Sequence, residues 1–550
     1  MTITEAPPET TTAPVSASAA PATGLEHLVT TGDHKSLGAL YVRLALLFGV
    51  VFTVVGVGIG IERTDTGGID VYNSFDQFVQ WWQAYSVGAI FLVVVPLFIG
   101  VGTAVVPLQV GSPAIAFPRL ASAAFWGWLI GSGLLLASFI ADGGFGTPGG
   151  LADPEPTLLS ILSLGLVLVS ISLASVCIAT SVIALRPLGM KLDRVPVFSW
   201  SMLVASTFWI LGAAVMVGNL VILYVQFRYL AGEPAAGAED AVLFQPGMWE
   251  QLSWAFSGPQ VFAWVIPLLG VAAETVPVAT RLRQKSYTTL LGAIAAFGLF
   301  SFAGYAQPFF DSGSLAVTEQ AVYVAQSVLL VIPVLVLFGG LADSLRIGAR
   351  QIGAPRTWLV APLLGLLVLL VGVAFTAMRA IDEFDLIGTS ADAALLHLAL
   401  GAGLLGAIGA LALWTPKLLG RKLTPLSLLG ALAVAGGALM AGVPDFISGL
   451  LDQPLLAGPG YVADDGVEAF NFVSMIGSIL LALGVVAVLV DTVAAVVGGT
   501  PDDADDNPWG GHTLEWATTS PPPPANFAEP VGQVRSERPL LDTDDSEEQS

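Results

Sequence analysis

Twelve runs of predominantly apolar residues, each long enough to cross a bilayer, constrain this sequence more than any other feature. They fall at 38–61, 84–109, 119–141, 155–185, 196–225, 252–280, 287–310, 318–345, 357–379, 392–414, 425–449 and 467–497. A helix needs about 20 such residues to span the hydrocarbon core. Hydrophobic residues make up 55% of the 550 positions and charged residues 11%, where soluble domains carry about 25% charge. In lipid each backbone N–H and C=O must find its partner within the segment, which selects helices here. The expectation is an all-α polytopic membrane protein with twelve transmembrane helices.

The basic residues test that count independently. If both termini are cytoplasmic, 17 of the 20 Lys and Arg fall on inner segments or inner span ends, and only Arg63, Arg228 and Arg379 fall outside. The positive-inside rule predicts that bias, and one missed span would scramble it. A cell-membrane protein with both ends inside follows.

The formal net charge is −22, with twelve Asp or Glu after residue 500 and only five lysines. An acidic, lysine-poor solvent face suits a salt-rich cytoplasm, where screening limits self-repulsion, and points to a halophilic archaeon. The sign excludes nucleic acid as a partner.

Three regions follow from composition: a disordered cytoplasmic arm at 1–35, a membrane domain at 36–497, and an acidic, Pro-rich cytoplasmic tail at 498–550. The single Cys177 lies within a span and can form no internal disulfide. The run Gly56-Val57-Gly58-Ile59-Gly60 also lies within a span, where small residues let helices approach closely. Trp81 and Trp82 read as interfacial anchors before the second span.

Several motifs are specific. Thr31-Gly32-Asp33-His34-Lys35 precedes the first span, and Val106-Pro107-Leu108-Gln109-Val110-Gly111-Ser112-Pro113 leads to Ala116-Phe117-Pro118-Arg119-Leu120. Arg194-Val195-Pro196-Val197-Phe198-Ser199-Trp200-Ser201 opens the fifth span. The tail carries Asn507-Pro508-Trp509-Gly510-Gly511-His512-Thr513-Leu514-Glu515-Trp516-Ala517-Thr518-Thr519-Ser520-Pro521-Pro522-Pro523. Over about residues 31–527 these resemble subunit I of the haem-copper oxidases. The resemblance implies dioxygen reduction at a haem iron beside copper, fed by a second, low-spin haem, with imidazole ligands to both metals.

The sequence holds only four histidines, His27, His34, His397 and His512, and His397 alone lies within a span. Where the resemblance implies the low-spin haem ligand of the second helix stands Tyr85, and the copper positions are occupied by Gly258, Gln307 and Pro308. The family's sixth-helix glutamate and tyrosine become Gln260 and Phe262, and its tenth-helix histidines fall on Ala394 and Leu396. The arginine pair for the haem propionates falls near Asp445 and Phe446, and the proton-route positions on Thr103, Ala114 and Leu337.

Three candidates remain. His397, with Tyr85 as partner, is a haem candidate; the plainer reading is a buried histidine bonded to a carbonyl or to Asp392. Glu274 could take up protons near the inner face, or be a paired interfacial carboxylate like Asp491. His34 and His512 read as solvated or docking side chains. The expectation is a degenerate subunit I-like protein with no cofactor, acting as a structural or partner subunit beside other respiratory oxidase subunits. The alternatives are a redox-active relative keeping one haem, and a lipid- or quinone-binding membrane protein.

Overall fold

The computed structural model describes residues 31–64, 71–146, 154–225, 227, 247–305, 317–463, 465–498 and 505–542. Among these residues twelve apolar helices follow in order. They are α1 His34–Glu62, α2 Phe75–Gln109, α3 Pro118–Ile140, α4 Pro154–Ala184, α5 Val197–Val225 and α6 Pro267–Thr280, then α7 Tyr287–Ser301, α8 Gln320–Gly348, α9 Thr357–Arg379, α10 Ser390–Leu419, α11 Pro425–Leu450 and α12 Asp465–Val497. Ten are long and apolar enough to cross a membrane; α6 and α7, of 14 and 15 residues, are shorter. The all-helical, multi-span reading stands: ten of the expected spans meet a helix of crossing length, and the sixth and seventh meet shorter helices over part of their length.

The sixth span departs from a continuous helix for a local reason. Pro259 and Pro267 cannot donate ladder hydrogen bonds, and between them Gln260–Val265 winds as a tighter 3₁₀ segment. The second span contains a π-helical stretch at Gly88–Val94, just before Pro96. A β-carbon on Gly88 would stand 2.2 Å from Phe52, so the absence of a side chain there lets α1 and α2 close together.

Helices adjacent in sequence pack side by side, and α12 returns to α1. The spanning windows of α2 and α10 are buried throughout, so these two form the centre of the bundle. Large apolar side chains such as Ile140, Leu299 and Leu429 face outward, as a lipid-facing surface requires.

Helix starts are set by capping. Asp33 accepts from the backbone N–H groups of Lys35 and Ser36 at the start of α1. Asp491 of α12 accepts from the N–H groups of Thr424 and Ser427 and from the Thr424 hydroxyl at 2.8 Å, satisfying the start of α11. That contact gives the buried Asp491 a structural partner on the neighbouring helix.

Candidate functional site

At the end of the bundle opposite the tail, α1, α10 and α11 bring three ionisable side chains together. Arg63, just after α1, places Nη1 3.1 Å from Asp445 Oδ2. His397 of α10 places Nδ1 3.1 Å from the same oxygen. Asp445 is fully buried, and the side chains of Arg63 and His397 are 4% and 5% exposed. Asn471 of α12 donates to the Arg63 carbonyl at 3.0 Å. Arg63 Nε and Nη2 and Asp445 Oδ1 have no partner among the described residues.

Tyr85 of α2 meets this cluster with its ring centroid 5.7 Å from that of His397. A β-carbon on Gly56 would lie 2.9 Å from the Tyr85 ring, so the glycine run of α1 admits the tyrosine. The plainer sequence reading gave His397 a backbone carbonyl or Asp392 as partner; the structure gives it Asp445, and Asp392 pairs with Arg379. Arg63 was missed as the partner of Asp445. The available signal was two opposite charges in a charge-poor membrane domain, each expensive to bury alone.

A second constellation surrounds Gly258, in the turn that interrupts the sixth span ahead of Gln260–Val265. Its carbonyl accepts the Tyr323 hydroxyl at 2.5 Å, and Arg379 Nη1 donates to that hydroxyl at 3.0 Å. A β-carbon on Gly258 would stand 2.6 Å from Thr376 Oγ1 and 2.8 Å from Leu395 Cδ1. Gln260 Oε1 accepts from the Ala303 N–H at 2.8 Å, while its Nε2 has no partner among the described residues. Phe262 is fully buried. Gln307 and Pro308 lie outside the described residues.

The third lies at the tail-bearing end. Glu274 Oε1 meets Arg538 Nη1 of the tail at 2.8 Å, both side chains 1% exposed. The tail's Leu514–Ala517 turn packs on α2 and buries Glu515. Gln109 Nε2 and Trp414 Nε1 donate to Glu515 Oε1 at 3.1 and 3.3 Å. Burial raises the Glu515 carboxyl above the usual carboxylate range, and the charge of Glu274 pushes the same way. Trp509 lies against Trp358, with Arg356 and Lys422 each about 5 Å from its ring. His34 is 1% exposed; its Nε2 meets Asn526 Oδ1 of the tail at 3.0 Å and its Nδ1 the Thr103 carbonyl at 3.1 Å.

Taken together, twelve apolar helices among the described residues, a two-helix centre and a tail packed on one end define a multi-span membrane protein. The profile of the cytochrome c and quinol oxidase polypeptide I family matches residues 36–480, and the chain belongs to that family. A Streptomyces coelicolor protein provisionally named cytochrome c oxidase subunit 1-beta is 30% identical over 535 residues, covering 93% of this chain and 89% of its own. Cytochrome c oxidase subunit 1 of Corynebacterium glutamicum is 27% identical over 548 residues, covering 94% and 88%. These relatives are bacterial and lend no support to an archaeal source.

Membership corrects one expectation. The reading that no cofactor is carried is overturned, because this is a haem- and copper-binding family. What the structure adds concerns particular positions. Tyr85 and His397 stand with ring centroids 5.7 Å apart and planes tilted by 55°, and His397 Nδ1 is engaged by Asp445. Gly258 offers no ligand atom, and Thr376 and Leu395 occupy the space a side chain would enter. Among the described residues no group of three or more His, Cys, Asp or Glu is placed to hold a metal ion. These residues therefore do not fit the ligand roles the resemblance implies, and no redox step is derived through them.

Proposed function

We propose that this chain is a structural partner subunit of a respiratory terminal oxidase assembly, seated in the cell membrane with both termini in the cytoplasm. The observation that carries this reading is the packing at Gly258, where Thr376 and Leu395 fill what the resemblance makes a ligand position. The Arg63–Asp445–His397 cluster adds support, because it satisfies an acidic group where the resemblance implies arginines. The folded tail offers a surface for neighbouring subunits, and its acidic, lysine-poor composition suits a salt-rich cytoplasm.

The test is purification of the full chain from its own membrane in mild detergent, followed by identification of what accompanies it. Co-purification with other oxidase subunits, whose dioxygen consumption persists when Gly258 and His397 are substituted, supports the reading. Dioxygen consumption by this chain, abolished by those substitutions, overturns it.

A second reading is a redox-active relative. It is supported by family membership and by His397, whose Nδ1 contact with Asp445 is the carboxylate–imidazole pairing that orients metal-bound histidines. A haem absorbance band lost in His397→Ala would favour it. Bound lipid or quinone recovered with the purified chain would favour a binding role.

A further inference from the structure

The oxidase reading makes no use of the carboxylate that the tail inserts into the bundle. Glu515 is 1% exposed, and its surroundings are specific. Ser199 Oγ donates to Gln109 Oε1 at 2.7 Å, which turns Gln109 Nε2 toward Glu515. Trp414 supplies the second donor. Both donors are neutral, and both reach Oε1. Oε2 has no partner.

The nearby cations bond elsewhere. Arg538 pairs with Glu274. Lys417 directs Nζ to the Thr518 carbonyl at 2.6 Å and lies over the Trp516 ring. Glu274 of α6, Lys417 of α10 and Arg538 of the tail are the charged groups that face this end of the cluster. Tyr287 of α7 stands beside Glu274, and Asp506 beside Lys417. α2 and α5 contribute only the neutral Gln109 and Ser199. An ionised carboxylate buried with one bare oxygen and no bonded cation is costly, and binding a proton removes the charge.

We propose that Glu515 is a proton-binding site at the tail-bearing end of the bundle, and that the proton it holds keeps the tail seated. The proton adds to bare Oε2, converting a carboxylate into a neutral carboxyl while Oε1 keeps both donors. Losing it leaves a second buried negative charge near Glu274, and the Leu514–Ala517 turn can relieve that only by lifting away. The burial and the Glu274 charge raise the Glu515 carboxyl from its ordinary 4.5. A raised folded-state value means the stabilisation is fully present below that ordinary value and is lost as pH rises through the raised one. The seated tail is therefore favoured by acid and loosened by base.

The test uses the full chain in lipid nanodiscs, with infrared detection of protonated carboxyl and limited proteolysis of the tail across a pH titration. The expected result is a buried carboxyl band that persists above the pH at which an ordinary glutamate ionises and disappears as pH rises further, with tail cleavage accelerating several-fold over the same range. In Glu515→Gln that band is missing and cleavage no longer follows pH. In Glu274→Gln the band titrates at lower pH, because one repelling charge is gone. The proposal is overturned by no such band in the parent protein, by a band that survives in Glu515→Gln, or by pH-independent cleavage. Should Glu515→Gln fail to fold, the Glu274→Gln shift decides: a lower titration upholds the site and an unchanged one overturns it.

Discussion

Arg63 and Asp445, 382 positions apart in sequence, meet at 3.1 Å in a site where the carboxylate has no exposure to solvent. Removing one member of such a pair leaves an uncompensated buried charge, at a cost of about 3–5 kcal/mol. Arg63→Leu should therefore destabilise the bundle strongly, and Asp445→Asn in the same chain should restore much of the loss. Thermal unfolding in detergent measures both. Equal stability of the single and double variants would mean that the pair contributes nothing beyond packing.

Gly258 sets a different kind of limit. Here a methyl group would meet Thr376 Oγ1 and Cγ2 and Leu395 Cδ1, all within 2.8 Å. Overpacking of this kind costs about 1–3 kcal/mol. Gly258→Ala should lower the unfolding midpoint, and Thr376→Ala, which deletes two of the three colliding atoms, should recover part of it. A Gly258→Ala variant as stable as the parent would show that the pocket yields freely.

The spans, their order and the alternation of basic residues were legible because lipid imposes a strict length and polarity rule on every crossing. The shortness of α6 was partly legible, since Pro259 and Pro267 stand in the sequence; that of α7 and the π-helical stretch at Gly88–Val94 were not. Pairings between distant side chains were the least visible. Nothing local to Asp445 names Arg63, and nothing local to Glu274 names Arg538, because those contacts depend on how helices and tail pack. The tail's acidic, proline-rich composition described its solvent-facing character and concealed the polar residues that it buries, Thr513, Glu515, Asn526 and Arg538.

Asp33 supplies an acid-side dependence opposite in sign to that of Glu515. Burial pushes its carboxyl upward, but the hydrogen bond and charge of Lys35 outweigh it and hold the group below its ordinary 3.8. A lowered folded-state value means that the contribution is present above the ordinary value and lost as pH falls through the lowered one. The cap on α1 should therefore persist through mildly acid conditions and fail only in strong acid. Amide exchange at Lys35 and Ser36 can follow it, with Asp33→Ala, which has no side-chain acceptor, as the reference. Protection that is the same in both proteins at neutral pH would remove Asp33 from the cap.

Asn526 ties the tail to the first helix and to the loop after the second. Its Oδ1 accepts from Lys35 Nζ at 3.1 Å and meets His34 Nε2 at 3.0 Å, while Nδ2 donates to the Ser112 carbonyl at 2.7 Å. Its backbone sits at φ +67°, a left-handed conformation that asparagine tolerates better than most residues and glycine adopts freely. Two separate contributions can therefore be told apart. Asn526→Gly keeps the backbone but leaves buried polar partners unsatisfied, at about 1–3 kcal/mol. Asn526→Ala loses the same bonds and also strains the backbone. Tail cleavage under limited proteolysis should rise from the parent to the glycine variant and again to the alanine variant. Equal rates for glycine and alanine would assign the whole effect to the side-chain bonds, and a parent-like rate for both would place the tail's anchorage elsewhere, at Arg538 and Trp509.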